Sequence, residues 1–411
     1  MENISWFNPG VENASGLKKT NKAINHIQND LESLMLFTAS EGDIVLLQNN
    51  YPEEYFNYLK KQRLLLPKVE IKDCFASTKR DLTFRNCSPW GWGPDSIEFA
   101  KKMRVSNLPE NDLSHLIKMN SKVFARKISL VLFNEFNSEV CDEFYNGVVC
   151  SNGHEIENCI NEFNSKGVTH LVIKAPYGTA GRGFKLIDKT SSLNQVMSWS
   201  NRIFKSQKVV IIEPWVERVK DFSYLYEYKN GVCEMIGLTE MIVTKQGGYK
   251  GCWIRNESSE KEYSNDLQKK IKELIEDEFK THAGKLDKIP FSIDGYLFKD
   301  RNQKVILRPI SEFNFRMSMG RIACELSKNA ANDRMTMFRI INIGELESKS
   351  RIEIIKDFKL KLNEEKWLDG IVFLTPIFKH TQYCAIMVVS DQKKKVLEHF
   401  EKLCRRYNIK N

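Results

Sequence analysis

The sequence predicts a protein of mixed α/β and α+β class built from several domains, and three features carry that expectation. Strands alternate with helices near the start, which implies a parallel sheet with crossover helices. In the middle, the apolar strand Val172-Ile173-Lys174 runs into a loop holding Gly178, Gly181 and Gly183. Further on, two pairs of strand-like segments read as hairpins, the first around Asn230-Gly231, a dipeptide suited to a turn whose two central residues both take positive φ. At 411 residues and 42% hydrophobic, the chain can bury a large core and divide into several domains.

In chain order, Ile4-Ser5-Trp6-Phe7 is a strand that stops at Asn8-Pro9-Gly10, and a second strand spans 42–47. Tyr55, Tyr58, Leu59 and Leu65 then recur at helical spacing. Residues 1–115 read as an N-terminal α/β domain. Within it, Ser88-Pro89-Trp90-Gly91-Trp92-Gly93 can continue neither helix nor strand, and Trp90 and Trp92 read as a packing plug before a wall for a flat ligand. Residues 116–216 read as a lid subdomain centred on the glycine loop: a helix capped at Asn120-Ser121, a helix with Ile156, Cys159, Ile160 and Phe163 on one face, the strand to Lys174, a strand 184–187, a helix 193–204, and a buried strand ending at Glu213-Pro214-Trp215-Val216. Residues 217–330 hold both hairpins, the second pairing 291–298 with 305–313, separated by a helix with Leu267, Ile271, Leu274, Ile275 and Phe279 on one face. Residues 331–411 add strands at 370–375 and 384–389 and an amphipathic end helix bearing Val396, Phe400, Leu403 and Tyr407, read as a cover for a sheet.

Composition narrows the function. No apolar run reaches the ~18 residues a membrane span needs. The start shows no charged region, apolar stretch and cleavage site in series, so a cytoplasmic setting is expected. The ten cysteines are scattered without a C-x-x-C pair, which fits reduced thiols rather than disulfides or zinc. A net charge of +9 is spread along the chain rather than gathered in a stripe, and the aromatics do not interleave with basic runs, which argues against a nucleic-acid partner. Both a monomer and an oligomer are compatible with the sequence.

Two segments carry chemistry. A strand-end lysine followed by glycines places a point charge and backbone N–H groups where a phosphate can meet them. The second hairpin puts Asp294 on one strand and Glu312-Phe313-Asn314-Phe315-Arg316 on the other, where a period of two sets Glu312, Asn314 and Arg316 on one face. Carboxylate and amide oxygens opposite a lysine-glycine loop suit Mg²⁺ beside a nucleoside triphosphate.

This order of segments resembles the ATP-grasp superfamily over residues 115–325. The resemblance implies that Lys122 and Lys174 bind the α- and β-phosphates of ATP on the glycine loop of Gly178, Gly181 and Gly183, that Glu213, Trp215 and Val216 meet adenine, and that Asp221 binds the ribose hydroxyls. It implies Asp294, Glu312 and Asn314 as Mg²⁺ ligands, with Arg316 steadying the transferred phosphate and Lys174 and Arg182 offsetting its charge. Ser121 stands where the family usually has aspartate, and Arg308-Pro309-Ile310-Ser311 lengthens the approach to Glu312. The Phe7-Asn8-Pro9 start, the tryptophan loop and Arg316-Met317-Ser318-Met319-Gly320-Arg321 are similar to a poorly characterised bacterial branch. The implied activity is ligation of a carboxylate substrate to an amine substrate through an acyl phosphate. A nucleotide-binding regulator without turnover and a phosphotransferase are the alternatives.

Overall fold

The computed structural model describes residues 3–11, 22–77, 86–105, 108–109, 112–178, 183–244, 247–255, 261–282 and 288–410. Three sheets organise them. The first is parallel as expected, from β1 (Asn3–Trp6), β2 (Ile44–Leu47), β3 (Lys68–Ile71) and β4 (Asn86–Pro89) in the order β3-β2-β1-β4. Alternate residues serve its two faces: Ile4, Trp6, Ile44 and Leu46 pack with Ala100 and Met103, while Val45 and Leu47 pack with Leu34, Met35 and Leu36.

The second sheet is antiparallel, from β5 (Val148–Cys150), β6 (Leu171–Lys174), β7 (Phe184–Ile187) and β8 (Val210–Pro214) in the order β5-β8-β6-β7. Ile156, Cys159 and Phe163 from one helix and Val196 from the next bury its inner face. The expected α+β unit around the glycine loop is therefore present.

The third sheet has nine strands: β9 (Glu217–Lys229), β10 (Val232–Val243), β11 (Tyr249–Arg255), β12 (Lys288–Lys299), β13 (Val305–Asn314), β14 (Met335–Asn342), β15 (Leu360–Asn363), β16 (Lys366–Phe373) and β17 (Tyr383–Ser390). Their order is β13-β12-β9-β10-β11-β14-β17-β16-β15. Both expected hairpins, β9–β10 and β12–β13, form. Residues 331–411 join the same sheet, because β14 pairs with β11 through Gly251 and Arg339. Gly251 has φ of +152°, and a Cβ there would lie 2.1 Å from the Phe338 carbonyl oxygen, so the close strand approach needs glycine. Over one face lies the helix Asn265–His282, whose Phe279 joins Tyr226, Tyr228, Phe291 and Phe315 in an aromatic core. The end helix Lys393–Arg406 covers β17 with Val396, Phe400 and Leu403, as its pattern predicts.

Candidate active site

A cavity of about 330 Å³ opens between the second and third sheets, and the glycine turn, β6 and the β12–β13 hairpin all reach it. Lys122, Lys174, Gly178, Gly183, Trp215, Asp221, Asp294, Glu312, Asn314 and Arg316 line it. Gly181 and Arg182 lie outside the described residues. Residues separated by nearly two hundred positions are thus gathered at one place.

Lys122 begins the helix Lys122–Phe136, whose Ser121 hydroxyl accepts from the Val123 amide at 3.2 Å. Its ammonium donates to Glu312 Oε1 at 2.7 Å and reaches the Gly178 carbonyl at 3.5 Å. The helix start is tied to the glycine turn by the Lys122 amide donating to Pro176 at 3.0 Å. The turn closes where Ala175 N–H donates to the Gly183 carbonyl at 2.8 Å, and Gly183 takes φ of +83°, a conformation that favours glycine.

Lys174 ends β6 and donates to Glu213 on the neighbouring strand β8. Glu213 is 3% exposed and does not line the cavity; it lies behind Lys174 and is also held by Arg308 Nη2 at 3.0 Å. Burial alone would raise the Glu213 carboxyl, but the charges of Arg308 and Lys174 bring it down to about 2. Lys174 is pulled down to about 8, chiefly by burial, which the charge of Glu213 opposes and those of Arg308 and Arg218 reinforce. Arg308 also donates to the Tyr145 carbonyl at 2.5 Å, so one guanidinium joins β13 to the second sheet. The sequence reading missed Arg308 because nothing in its local pattern distinguishes it from a solvated arginine.

At one end, Trp215 stacks on Phe184 with centroids 6.2 Å apart and planes 20° apart. Asp221 is 8% exposed and accepts from Arg218 Nη1 at 2.7 Å, while the same guanidinium lies 4.2 Å from the Tyr296 ring centre. Arg218 lines the cavity and was also missed. The Val216 side chain packs beside Cys141, Tyr296 and Phe298 rather than in the cavity wall.

The hairpin supplies the oxygen-rich end. The ladder runs Asp294–Glu312 and then Tyr296–Arg308, so Pro309, Ile310 and Ser311 bulge opposite Gly295. A Cβ on Gly295 would stand 2.6 Å from both the Phe222 ring and the Pro309 carbonyl oxygen, so only glycine allows this approach. The lengthened segment before Glu312 is therefore what sets it directly opposite Asp294. Asp294 accepts from Ser223 Oγ at 2.7 Å and from Asn314 Nδ2 at 3.0 Å. Burial first, and the charge of Glu312 second, push its carboxyl up to about 7 against the pull of Ser223, Arg316 and Asn314. Two facing carboxylates beside an amide oxygen fit a hard divalent cation, which relieves the repulsion that raises Asp294. No three His, Cys, Asp or Glu side chains cluster as a metal set among the described residues; the candidate third donor is the Asn314 amide, whose oxygen also accepts from Arg316.

Arg316 departs from the expected strand position. β13 ends at Asn314, and the chain bends so that Arg316 N–H donates to the Asn314 carbonyl at 2.9 Å and Met317 N–H to Trp90 at 2.7 Å. The period of two ends with the strand, yet the guanidinium returns to Asn314 Oδ1 at 2.9 Å and to the same cavity. Trp90 serves both readings of its loop: it is 3% exposed, packs edge-on to Phe7 at 4.8 Å, and walls the cavity.

No family model matches the chain. The [butirosin acyl-carrier protein]–L-glutamate ligase of Niallia circulans is 26% identical over 224 residues, 54% of this chain and 50% of that protein. The chain thus matches about half the length of that curated relative. Among solved structures, the fold matches the biotin carboxylase–βγ-ATP complex from Campylobacter jejuni with a TM-score of 0.55 at 9% identity, covering 100% of this chain and 92% of that one. The biotin carboxylase domain of 2-oxoglutarate carboxylase from Hydrogenobacter thermophilus, in complex with MgADP, gives 0.54 at 10% identity over 100% and 90% of the chains. N5-carboxyaminoimidazole synthetase from Staphylococcus aureus, complexed with ADP, gives 0.52 at 9% identity over 99% and 98%. At such identities the structures speak for the fold. The chain therefore has the ATP-grasp fold that these structures share.

Proposed function

We propose that this protein is an ATP-dependent carboxylate–amine ligase. The observation that carries the reading is the single cavity in which two lysines, a glycine turn, two opposed carboxylates and an arginine meet. An oxygen of the acid's carboxylate attacks the γ-phosphorus, and ADP leaves with the electron pair of the broken bond. The amine nitrogen then attacks the acyl carbon, phosphate leaves, and the amine loses a proton. Lys122 and Lys174 hold the α- and β-phosphates, Trp215 and the backbone near Val216 take adenine, and Asp221 takes ribose. Asp294, Glu312 and Asn314 hold Mg²⁺, which would supply neutralising charge at the phosphates. Arg316, together with Arg182, steadies the phosphoryl group in transfer, where groups aimed at developing charge matter most. Glu213 and Arg308 act on Lys174 by fixing its position.

No helix of the described residues is long and apolar enough to cross a membrane, and all ten cysteines are unpaired. A cytoplasmic setting, where ATP is abundant and thiols stay reduced, belongs to the same reading. The curated relative's printed substrates make L-glutamate the first acid to try and a carrier-bound group one candidate acceptor.

Hydroxylamine tests the reaction, because it captures an acyl phosphate as a hydroxamate. The protein with Mg-ATP, hydroxylamine and L-glutamate, then other acids, is expected to release ADP and phosphate in step with hydroxamate. ATP binding without acid-dependent ADP release would favour a regulator. A stable phosphorylated product without free phosphate would mark a phosphotransferase.

A further inference from the structure

A second cavity, of about 170 Å³, shares Trp90 and Arg316 with the first, so Arg316 stands between two chambers. Ser5 of β1, Glu227 of β9, Lys288 of β12 and Arg321 of the helix Met319–Ser327 form much of its wall. Its size is well under the roughly 300 Å³ at which pockets for drug-sized ligands begin, so it suits a small molecule.

Arg321 is held on one side, where its Nε donates to Glu325 Oε1 at 3.0 Å, but the contacts of Glu227 are long. Glu227 Oε2 lies 3.3 Å from Arg321 Nη2 and 3.4 Å from Lys288 Nζ, both beyond the ordinary N–H···O range. Arg321 Nη1 and Ser5 Oγ are buried with no hydrogen-bond partner, and Ser5 as a whole is 7% exposed. Each exposes less than 1 Å², so neither atom reaches the cavity surface, and the groups that a ligand there meets are the charged side chains of the wall. Both signs of charge are present, with Arg316, Arg321 and Lys288 facing Glu227 and Glu325. A ligand that uses both signs is a zwitterion.

We propose that this cavity receives the acid substrate, and that the substrate is a small amino acid. This rests on the ligase reading. Its ammonium sits against Glu227, its reacting carboxylate lies beside Arg316 at the opening to the nucleotide chamber, and Lys288 and Arg321 flank it. In the first step one of its carboxylate oxygens forms the bond to the γ-phosphorus of ATP as the bond to the bridging oxygen of ADP breaks.

The test is calorimetric titration of the full-length protein, saturated with Mg²⁺ and a non-hydrolysable ATP analogue. The probes are L-glutamate and L-alanine, set against glutarate and propionate, which lack the amino group. At least one amino acid is expected to bind about tenfold or more tightly than its partner without nitrogen, the usual scale for a charged hydrogen bond. Glu227→Gln is expected to erase that discrimination while the analogue binds as in wild type, and Glu227→Asp is expected to restore part of it. Equal binding within both pairs, binding of none of the four, or discrimination that survives Glu227→Gln would overturn the proposal. The wild-type comparison decides alone if a variant does not fold. If the analogue itself fails to bind, the ligase reading falls first and the pocket assignment with it.

Discussion

Two walls of the nucleotide cavity each hold a carboxylate, and the two carboxylates behave in opposite ways. On the second sheet, Glu213 faces Lys174 and Arg308 and is held down to about 2. On the hairpin, Asp294 faces Glu312 and is pushed up to about 7. Glu213 is buried and Asp294 half-buried, yet burial is the largest influence raising both carboxyls, so the sign of the neighbour is what separates them. A buried acid matched by cations is a structural part that positions a lysine. A half-buried acid matched by another acid is suited to sharing a metal ion.

The contrast can be broken most severely at Glu213. Glu213→Ala leaves Lys174 and Arg308 buried without their counter-charge, so denaturant unfolding followed by tryptophan fluorescence should show a loss of about 3–5 kcal/mol. Glu213's own contribution to stability is present above the ordinary 4.5 and is lost as pH falls toward about 2. An unfolding midpoint unchanged by the substitution would mean that the pair is not structural.

Lys174→Ala acts on the phosphates instead. Removing one group aimed at transition-state charge costs about 2.7–4 kcal/mol, so ADP release in the hydroxylamine assay should fall about a hundredfold or more. Near-intact turnover would contradict the role given to this lysine.

The lowered pKa of Lys174 sharpens the comparison further. With a value of about 8 in the free protein, the ammonium is about nine-tenths present at pH 7 and about one-tenth at pH 9. The Mg-ATP affinity should therefore drop about tenfold across that interval in wild type, and this component should vanish in Lys174→Ala. A flat profile in wild type would show that the cation is retained through pH 9. The smallest effect is expected at the mouth of the same wall, where Ser121→Ala removes the cap of the Lys122 helix at a cost of about 1 kcal/mol. Chemical denaturation would detect it, and no loss at all would mean that the tie between Lys122 and Pro176 fixes the helix start unaided.

Much of this was legible in the chain because it is local. Asn230-Gly231 signals its hairpin, Ser121 its cap, and the alternation around Glu312 and Asn314 its strand. What stayed hidden depends on long-range register. Nothing near Met335–Asn342 announces that β14 will pair with β11 and carry one sheet through to the C-terminal strands. Arg308 looks like an ordinary strand arginine until the packing of the second and third sheets brings it to Glu213, and Arg218, three residues before Asp221, until β12 brings Tyr296 against its guanidinium. The position of Arg316 was misread because a period of two was extended past the strand's end, where a bend returns the guanidinium to Asn314 by another route. The bulge that opposes Asp294 to Glu312 shows in the sequence only as extra residues, and its purpose becomes plain once Gly295 and Phe222 are seen in contact.

The central claim is that the hairpin oxygens and the lysine wall form one metal-dependent nucleotide site. Calorimetric titration of ATP, with and without Mg²⁺, into wild type and into the Glu312→Ala, Asn314→Ala double variant tests it most directly. The account predicts binding by wild type that strengthens with Mg²⁺, and loss of that dependence in the variant. No binding by wild type, or the same metal dependence in both proteins, would contradict it.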